Sequence, residues 1–425
     1  MNRSMRPVLT LLVAEILSVS GTRLSMIAIP WLVLNLAGDP MMAGVAAFAE
    51  MLPYVVSKGL GGPLIDRLGA RFIAISGELL SVVVLAVIPA LHVIGMLHVN
   101  ALLPVVFLMG LLRGPTDAAK QALVPVVAEA ADAPLERITG MMATVERLAG
   151  TLGAAVAGVL VALIGAAPAL AVNALAFGLA ALTVTLGIAK RQQTEPQATA
   201  GYMRDLKEGW RFLTKDAVLV GFVVMIALTN LLDQALLTVL VPVWAMEYGG
   251  GPSAIGTLIA VQSAFAVLGA AVATRYAERM PRLKIYAIAF LTGGAPRFLI
   301  LLPGLPFTAI LAILAVAGFA IGFINPIISA VSFERMPKAL VGRVSSLMSA
   351  LAWALAPFGG LIGGAAVAYL GLPISVAFAA ALYFAVTMAP LFASSFRALS
   401  IRPKPVSAQK QVETSELGSQ LSEHH

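Results

Sequence analysis

No cysteine occurs among the 425 residues. Disulfides, thiolate nucleophiles and cysteine-held metals are therefore excluded, and the redox compartment stays open. Histidine is almost as scarce. His92 and His98 sit near one turn and His424 and His425 end the chain, so no imidazole set has metal-ligand spacing. Charge is the next shortage: 12% of residues are charged against 60% hydrophobic, with mean hydropathy +0.94. That is about half the charge a water-soluble domain carries. There is no Gly-x-x-x-x-Gly-Lys-Ser/Thr loop and no large polar domain, so nothing points to an ATP engine. No nucleophile–base arrangement points to an enzyme either.

What the chain does have is apolar sequence in long runs. Stretches such as 8–36 and 217–246 hold few charges and exceed the ~20 residues that cross a hydrocarbon core. Spans are expected at 8–35, 41–65, 71–95, 99–124, 136–164, 168–189, 217–246, 253–275, 283–303, 306–333, 343–369 and 373–396. The first is too long for a cleavable signal and lacks a small-residue cleavage site.

The connections between spans alternate in character. One set is short and rich in Gly and Pro (38–40, 95–100, 165–168, 249–252, 303–306 and 371–373) and contains no Lys or Arg. The other set holds nearly all the base, including Arg67, Arg71, Arg137, Lys190, Arg191, Arg335 and Arg343. Lys and Arg stay on the cytoplasmic side during insertion. Both termini are thus expected in the cytoplasm, with the chain a multi-pass protein of the inner (plasma) membrane. The net charge of +7 reads as a topology signal that also reaches lipid headgroups, not as a nucleic-acid surface. Residues 191–216 form the one long polar connection. Met203, Leu206, Trp210 and Leu213 recur there at helical spacing opposite charges, which predicts a short helix in the interface. Residues 399–425 are polar and read as a disordered tail.

An internal repeat lies behind the span pattern. A shift of 212 carries Pro30 onto Pro242, Gly44 onto Gly256, Asp66 onto Glu278 and Arg67 onto Arg279. A shift of 208 carries Gly110 onto Gly318 and Gly114 onto Gly322. A shift of 206 carries Arg137 onto Arg343, Gly153 onto Gly359, Gly158 onto Gly364 and Gly165 onto Gly371. The expected fold is an all-α membrane protein of twelve helices in two pseudo-symmetric six-helix bundles, 1–190 and 217–398. In transporters so built, the solute site lies near mid-bilayer between the halves.

Between spans 2 and 3 stands Gly62-Pro63-Leu64-Ile65-Asp66-Arg67-Leu68-Gly69-Ala70-Arg71. It resembles the first loop motif of the major facilitator superfamily, and Glu278-Arg279-Met280-Pro281-Arg282 resembles its weaker copy between spans 8 and 9. Arg113 in span 4, and Gly150, Gly153-Ala154 and Ala157-Gly158 in span 5, are similar to features of that superfamily's drug–proton antiporters, with Ala154 where a Pro is usual. Gly21-Thr22-Arg23-Leu24-Ser25, Pro30-Trp31-Leu32-Val33-Leu34 and the segment 205–216 resemble the macrolide-efflux and Tap-like multidrug branch; Arg23 stands where many of that branch carry an acid. The resemblance implies a proton-coupled exporter of amphipathic, cationic small molecules, working by alternating access. Its partners would be that solute, protons and membrane lipids, with a proton gradient in place of any cofactor, no metal, and a monomeric state. Uptake, or a lipid or metabolite cargo, is the alternative on the same fold. A membrane receptor or enzyme is the alternative outside it.

Charges at membrane depth cost a few kcal/mol on insertion scales and face a cavity or a partner. Depth counting places Arg23, Glu50, Arg113, Asp117, Glu146, Arg147 and Asp233 there. Glu15, Lys58, Glu78, Lys120 and Arg297 count as nearer span ends, where long side chains reach headgroups. Asp233 and Arg23 precede the equivalent prolines Pro242 and Pro30 by similar distances. Asp233 is therefore expected to bind a proton or a cationic solute with Arg23 as partner, a permanent structural pair being the alternative. Arg113 and Asp117, four apart, can pair, and Glu146 is the next proton candidate with Arg113 as its expected partner. Glu50 is the loneliest acid; it either faces lipid or recognises a solute amine.

Asp66 and Glu278 are acids beside helix N-termini. The resemblance implies that Asp66 meets the start of span 11 near Arg343 and Glu278 the start of span 5 near Arg137, with Arg67, Arg71 and Arg279 completing a cytoplasmic gate. The expected lining of the solute cavity is Met26, Trp31, Phe48, Met51, Met142, Asn230, Gln234, Gln262, Asn325 and Trp353. Asn325-Pro326 either breaks span 10 toward a cavity or merely kinks it.

Overall fold

Helix follows helix because apolar runs in lipid must satisfy their own backbone groups. The computed structural model describes residues 5–189, 202–276, 281–337 and 340–392, with backbone alone for 202–206. The first six spans are Arg6–Ala37, Pro40–Leu68, Ala70–Val93, Val99–Ala130, Leu135–Ile164 and Ala166–Gly187. Spans 7, 8, 10, 11 and 12 are Ala217–Glu247, Gly251–Tyr276, Phe307–Arg335, Val341–Leu370 and Leu372–Phe392. Among the described residues these eleven are long and apolar enough to cross a membrane. The expected ninth span is present in two pieces, Arg282–Gly293 and Pro296–Leu299. Gly294 leaves helical geometry at ψ −94°, and Pro296 lacks the N–H that would continue the ladder.

The ends are set locally. Gly38 turns the chain out of span 1 at φ +63°, a left-handed conformation suited to glycine. The Asp39 carboxylate then accepts from Met41 N at 2.8 Å and starts span 2, with Pro40 as its first residue. Asp216 caps span 7 in the same way, accepting from Val218 N (2.9 Å) and Leu219 N (3.2 Å). The expected interfacial helix is Tyr202–Leu213, lying against the start of span 11. Span 10 is interrupted at Gly322-Phe323, a turn before the expected Asn325-Pro326. The cause is local: the Pro326 ring clashes with the carbonyl four residues back, that of Gly322.

Packing repeats between the halves. Span 1 lies on spans 5 and 6, span 2 on span 4, and span 3 on spans 4 and 6; spans 7, 8 and 9 contact their counterparts in the same way. The repeat extends to single atoms. A Cβ on Gly110 would strike the carbonyl of Glu50, and one on Gly318 that of Gln262. A Cβ on Gly114 would stand 2.6 Å from Lys58 N, and one on Gly322 2.6 Å from Ala270 N. Backbones this close need glycine.

The halves meet chiefly through span 2 on span 11 and span 5 on span 8, two contacts that the repeat makes equivalent. In one, a Cβ on Gly364 would lie 2.7 Å from Pro40 O and 3.1 Å from Gly44 Cα. In the other, a Cβ on Gly158 would lie 2.7 Å from Pro252 O and 2.8 Å from Gly256 Cα. Both are at the short-turn end of the molecule.

Candidate functional site

A cavity of about 460 Å³ lies between the halves, lined from spans 1, 5, 8 and 10. Its polar lining includes Arg23, Glu146, Arg147, Thr151, Ser263 and Asn325. By their positions along the helices these residues run from mid-span toward the basic-loop end, opposite the paired glycines. Of the expected lining, Asn325 is here with Arg23 and Glu146, whereas Met26, Trp31, Phe48, Met51, Met142, Asn230, Gln234, Gln262 and Trp353 do not line this cavity. They serve packing or lie elsewhere. Phe48 meets Phe358 across the halves at 5.5 Å between ring centroids. Asn230 donates to Ala352 O (2.9 Å), beside the interruption of span 11. Trp353 is exposed, and Met142 packs on the core cluster of the first half.

Arg23 is not the partner of Asp233. Its guanidinium contacts Met26 Sδ at 3.4 Å and feels the charge of Glu146. Asp233 is instead hydrogen-bonded and ion-paired to Arg297 from the broken ninth span. Arg297, expected near headgroups, is 7% exposed and lies over the Tyr383 ring at 4.6 Å. The broken helix explains the correction: in an interrupted span, distance along the chain no longer measures depth. Asp233 also sits one turn before a π-helical turn, Leu236–Leu240, a feature frequent at functional sites.

The first half encloses a second polar cluster. Arg113 binds Glu78 (3.1 Å), Asp117 (2.8 Å) and Ser18 Oγ (2.8 Å). Lys120 binds Ser18 Oγ (2.6 Å), Glu15 (3.2 Å), Asp117 (3.4 Å) and Glu78 (3.5 Å). Ser18 donates to Glu78 at 2.7 Å, and Arg113 stacks 4.6 Å from the Phe177 ring centre. Tyr54 extends the cluster, donating to Asp117 (3.3 Å) and accepting from Lys58 (3.1 Å). The expected Arg113–Asp117 pair is present; the expected Arg113–Glu146 pair is not, because Glu146 faces the cavity. Glu78 and Lys120 are 1% and 2% exposed, so they do not reach headgroups. Glu78 is eight residues inside span 3, and Lys120 ten residues from the end of a 32-residue span 4. Those distances, about 12–15 Å of helix, were the available signal. Glu50 is half-buried and within electrostatic reach of Arg113, with no hydrogen bond to its carboxylate among the described residues.

Asp66 is exposed and makes no ion pair among the described residues. Arg343 donates to Glu208 of the interfacial helix at 2.8 Å. Arg71 donates to Ile188 O (2.7 Å) and Thr185 O (2.8 Å), tying the start of span 3 to the end of span 6. Arg67 and Arg137 are exposed. Glu278, Arg279, and the segments 190–201 and 393–425 lie outside the described residues.

Known proteins fit this picture. The family model described as transmembrane secretion effector matches residues 5–416. The multidrug efflux pump Tap of Mycobacterium tuberculosis is 30% identical over 372 residues, covering 85% of this chain and 87% of the relative. The pump of the same name from Mycolicibacterium fortuitum is 29% identical over 375 residues, covering 85% and 90%. Among solved structures, the nucleoside transporter NupG superposes with TM-score 0.73 at 14% identity over 95% of this chain and 100% of its own. A bacterial homologue of the iron transporter ferroportin in an inward-facing state gives 0.63 at 14% identity, covering 94% and 99%. The match along nearly the whole chain, on a fold of two repeated helical bundles around a polar cavity, makes this chain a multi-pass membrane transporter of the transmembrane secretion effector family, within the major facilitator superfamily.

Proposed function

We propose that the chain is a secondary active exporter that expels amphipathic small molecules by alternating access, with proton uptake as the driving reaction. One observation carries this reading: the halves close on each other through paired glycines at the short-turn end, while a polar cavity lies between them toward the basic-loop end. The basic loops belong in the cytoplasm by their charge. On that orientation the cavity admits solute from inside a cell while the outer side is sealed. The names of the Tap relatives support outward drug transport.

Asp233 is the first choice for the proton. Its side chain is 30% accessible and that of its partner Arg297 8%, so the carboxylate is the less enclosed member of the pair. Protonation cancels one charge of the pair and loosens span 7 from the ninth span. Span 7 carries that change to span 11 through Asn230 and to span 1 through the π-helical turn and the segment after it. Glu146 and Glu50, both without an ion pair among the described residues, are the second choices. Asp66 and Glu278 complete the gate in the opposite state, as inter-half contacts of the cytoplasmic face.

Proteoliposomes with an imposed pH gradient test the reading, comparing the parent with Asp233→Asn, Glu146→Gln and Glu50→Gln. The parent should concentrate an amphipathic dye against its gradient, and Asp233→Asn should only equilibrate it. Undiminished accumulation by all three variants would refute proton exchange through these acids.

A further inference from the structure

Arg23, Arg113 and Arg297 lie at membrane depth in the described spans with different surroundings. Arg113 holds Glu78 and Asp117, and Arg297 holds Asp233. Arg23 alone of the three has no carboxylate bonded to it among the described residues; its hydrogen bond goes to the thioether of Met26. It faces the inter-half cavity, where Arg147 adds a second guanidinium against the one carboxylate of Glu146. Thr151, Ser263 and Asn325 supply neutral hydrogen-bonding groups around them.

We infer that this cavity selects solutes carrying an anionic group, a carboxylate or a similar delocalised anion, which binds the Arg23 guanidinium. The inference rests on the transport reading above and names its cargo class. A cation at membrane depth without a paired anion is costly, and a guanidinium offers a planar fork that matches a carboxylate with two parallel hydrogen bonds. The lining carries two positive charges to one negative, so it favours the sign opposite to the cationic solute expected from resemblance. Glu146 is then a competitor. Its carboxylate attracts the Arg23 guanidinium, and an arriving anion must displace that attraction. Glu146 therefore sets how weakly an anion is held and lets it leave again.

The two roles predict opposite signs for two substitutions, so one binding experiment decides. The purified full chain, in nanodiscs of neutral phosphatidylcholine so that no lipid anion competes, is titrated with rhodamine B and with its ethyl ester. The dyes share the cationic xanthene and differ in the free carboxylate. Arg23→Gln should weaken rhodamine B binding roughly tenfold or more, the scale of a charge-assisted hydrogen bond, and move the ester by less than about twofold. Glu146→Gln should tighten rhodamine B and leave the ester unchanged or weaker. This gain arm holds even where Arg23→Gln fails to fold. The proposal is overturned if the parent binds acid and ester alike, if Arg23→Gln weakens both equally, or if Glu146→Gln weakens rhodamine B. The expected binding pattern with no movement of either dye in proteoliposomes would leave the site intact and refute the transport reading instead.

Discussion

Gly158 of span 5 and Gly256 of span 8 lie backbone against backbone, so close that a Cβ on Gly158 would stand 2.8 Å from the Gly256 Cα. Their repeat equivalents, Gly364 and Gly44, make the same contact between spans 11 and 2. Only backbone atoms meet at either place, so a side chain added there must push the two helices apart.

Gly158→Val should force this end apart. Overpacking costs about 1–3 kcal/mol, which moves a balanced two-state equilibrium roughly 5- to 150-fold. The cysteine-free chain gives a clean assay, because Ser263→Cys places one thiol in the cavity lining. A membrane-impermeant maleimide should label it from the basic-loop side in the parent and from the short-turn side in the Gly158→Val background. Gly140→Val is the control, since a Cβ there meets nothing within 4 Å. Identical labelling in all three would show that the glycine contact is not a seal.

The cluster around Arg113 makes a different prediction, one of stability. Removing one member of a buried charge pair leaves its partner uncompensated and costs about 3–5 kcal/mol. Glu78→Leu and Lys120→Met should therefore lower the melting temperature of the purified protein sharply. Glu50→Gln should not, because Glu50 has no hydrogen bond to lose among the described residues. A melting temperature within a degree or two of the parent for Glu78→Leu would remove the cluster from the fold's supports.

Span number and the inter-half repeat were legible in the sequence because each rests on periodic or compositional signals. Pro30 and Pro242, or Gly44 and Gly256, survive as matched landmarks along the chain. Charge partners were not legible. Asp233 and Arg297 are 64 residues apart on helices whose facing sides hydropathy does not report, and the interruption at Gly294 upset the depth count for Arg297. Glu78 was misplaced for another reason. Depth along a helix does not say which way a side chain points, and Glu78 points at Ser18 and Arg113 rather than along its helix toward headgroups. Residue type is no better a guide to a lining: Met and aromatic residues suit an apolar pocket, whereas the cavity between the halves is built mainly from small and charged ones.

The pair Asp233–Arg297 allows its two readings to be separated. A purely structural pair predicts that Asp233→Asn destabilises and that the double change Asp233→Asn with Arg297→Gln recovers both stability and transport. A proton-carrying pair predicts recovery of stability alone. Thermal melting and pH-driven dye accumulation, measured on the same three preparations, should show the second pattern: the double variant melts near the parent yet only equilibrates the dye. Full recovery of uphill transport would assign the pair to structure.

Where span 2 meets span 3, neighbouring charges should divide between stability and turnover. Arg71 is tied to two carbonyls of span 6, so Arg71→Ala should cost about 1–3 kcal/mol, the worth of hydrogen bonds from a charged donor. Asp66 is exposed and without an ion pair among the described residues in this state, so Asp66→Asn should leave the melting point unchanged within about 0.5 kcal/mol. The proposed latch would give Asp66 its contact in the opposite state, where an acid at a helix N-terminus gains about 0.3–1 kcal/mol. Losing that contact should slow turnover roughly two- to fivefold by depopulating the outward-facing form. The signs are opposite in the two assays, so a destabilised Asp66→Asn with normal turnover would place Asp66 among the structural residues of its loop and end its role as a latch.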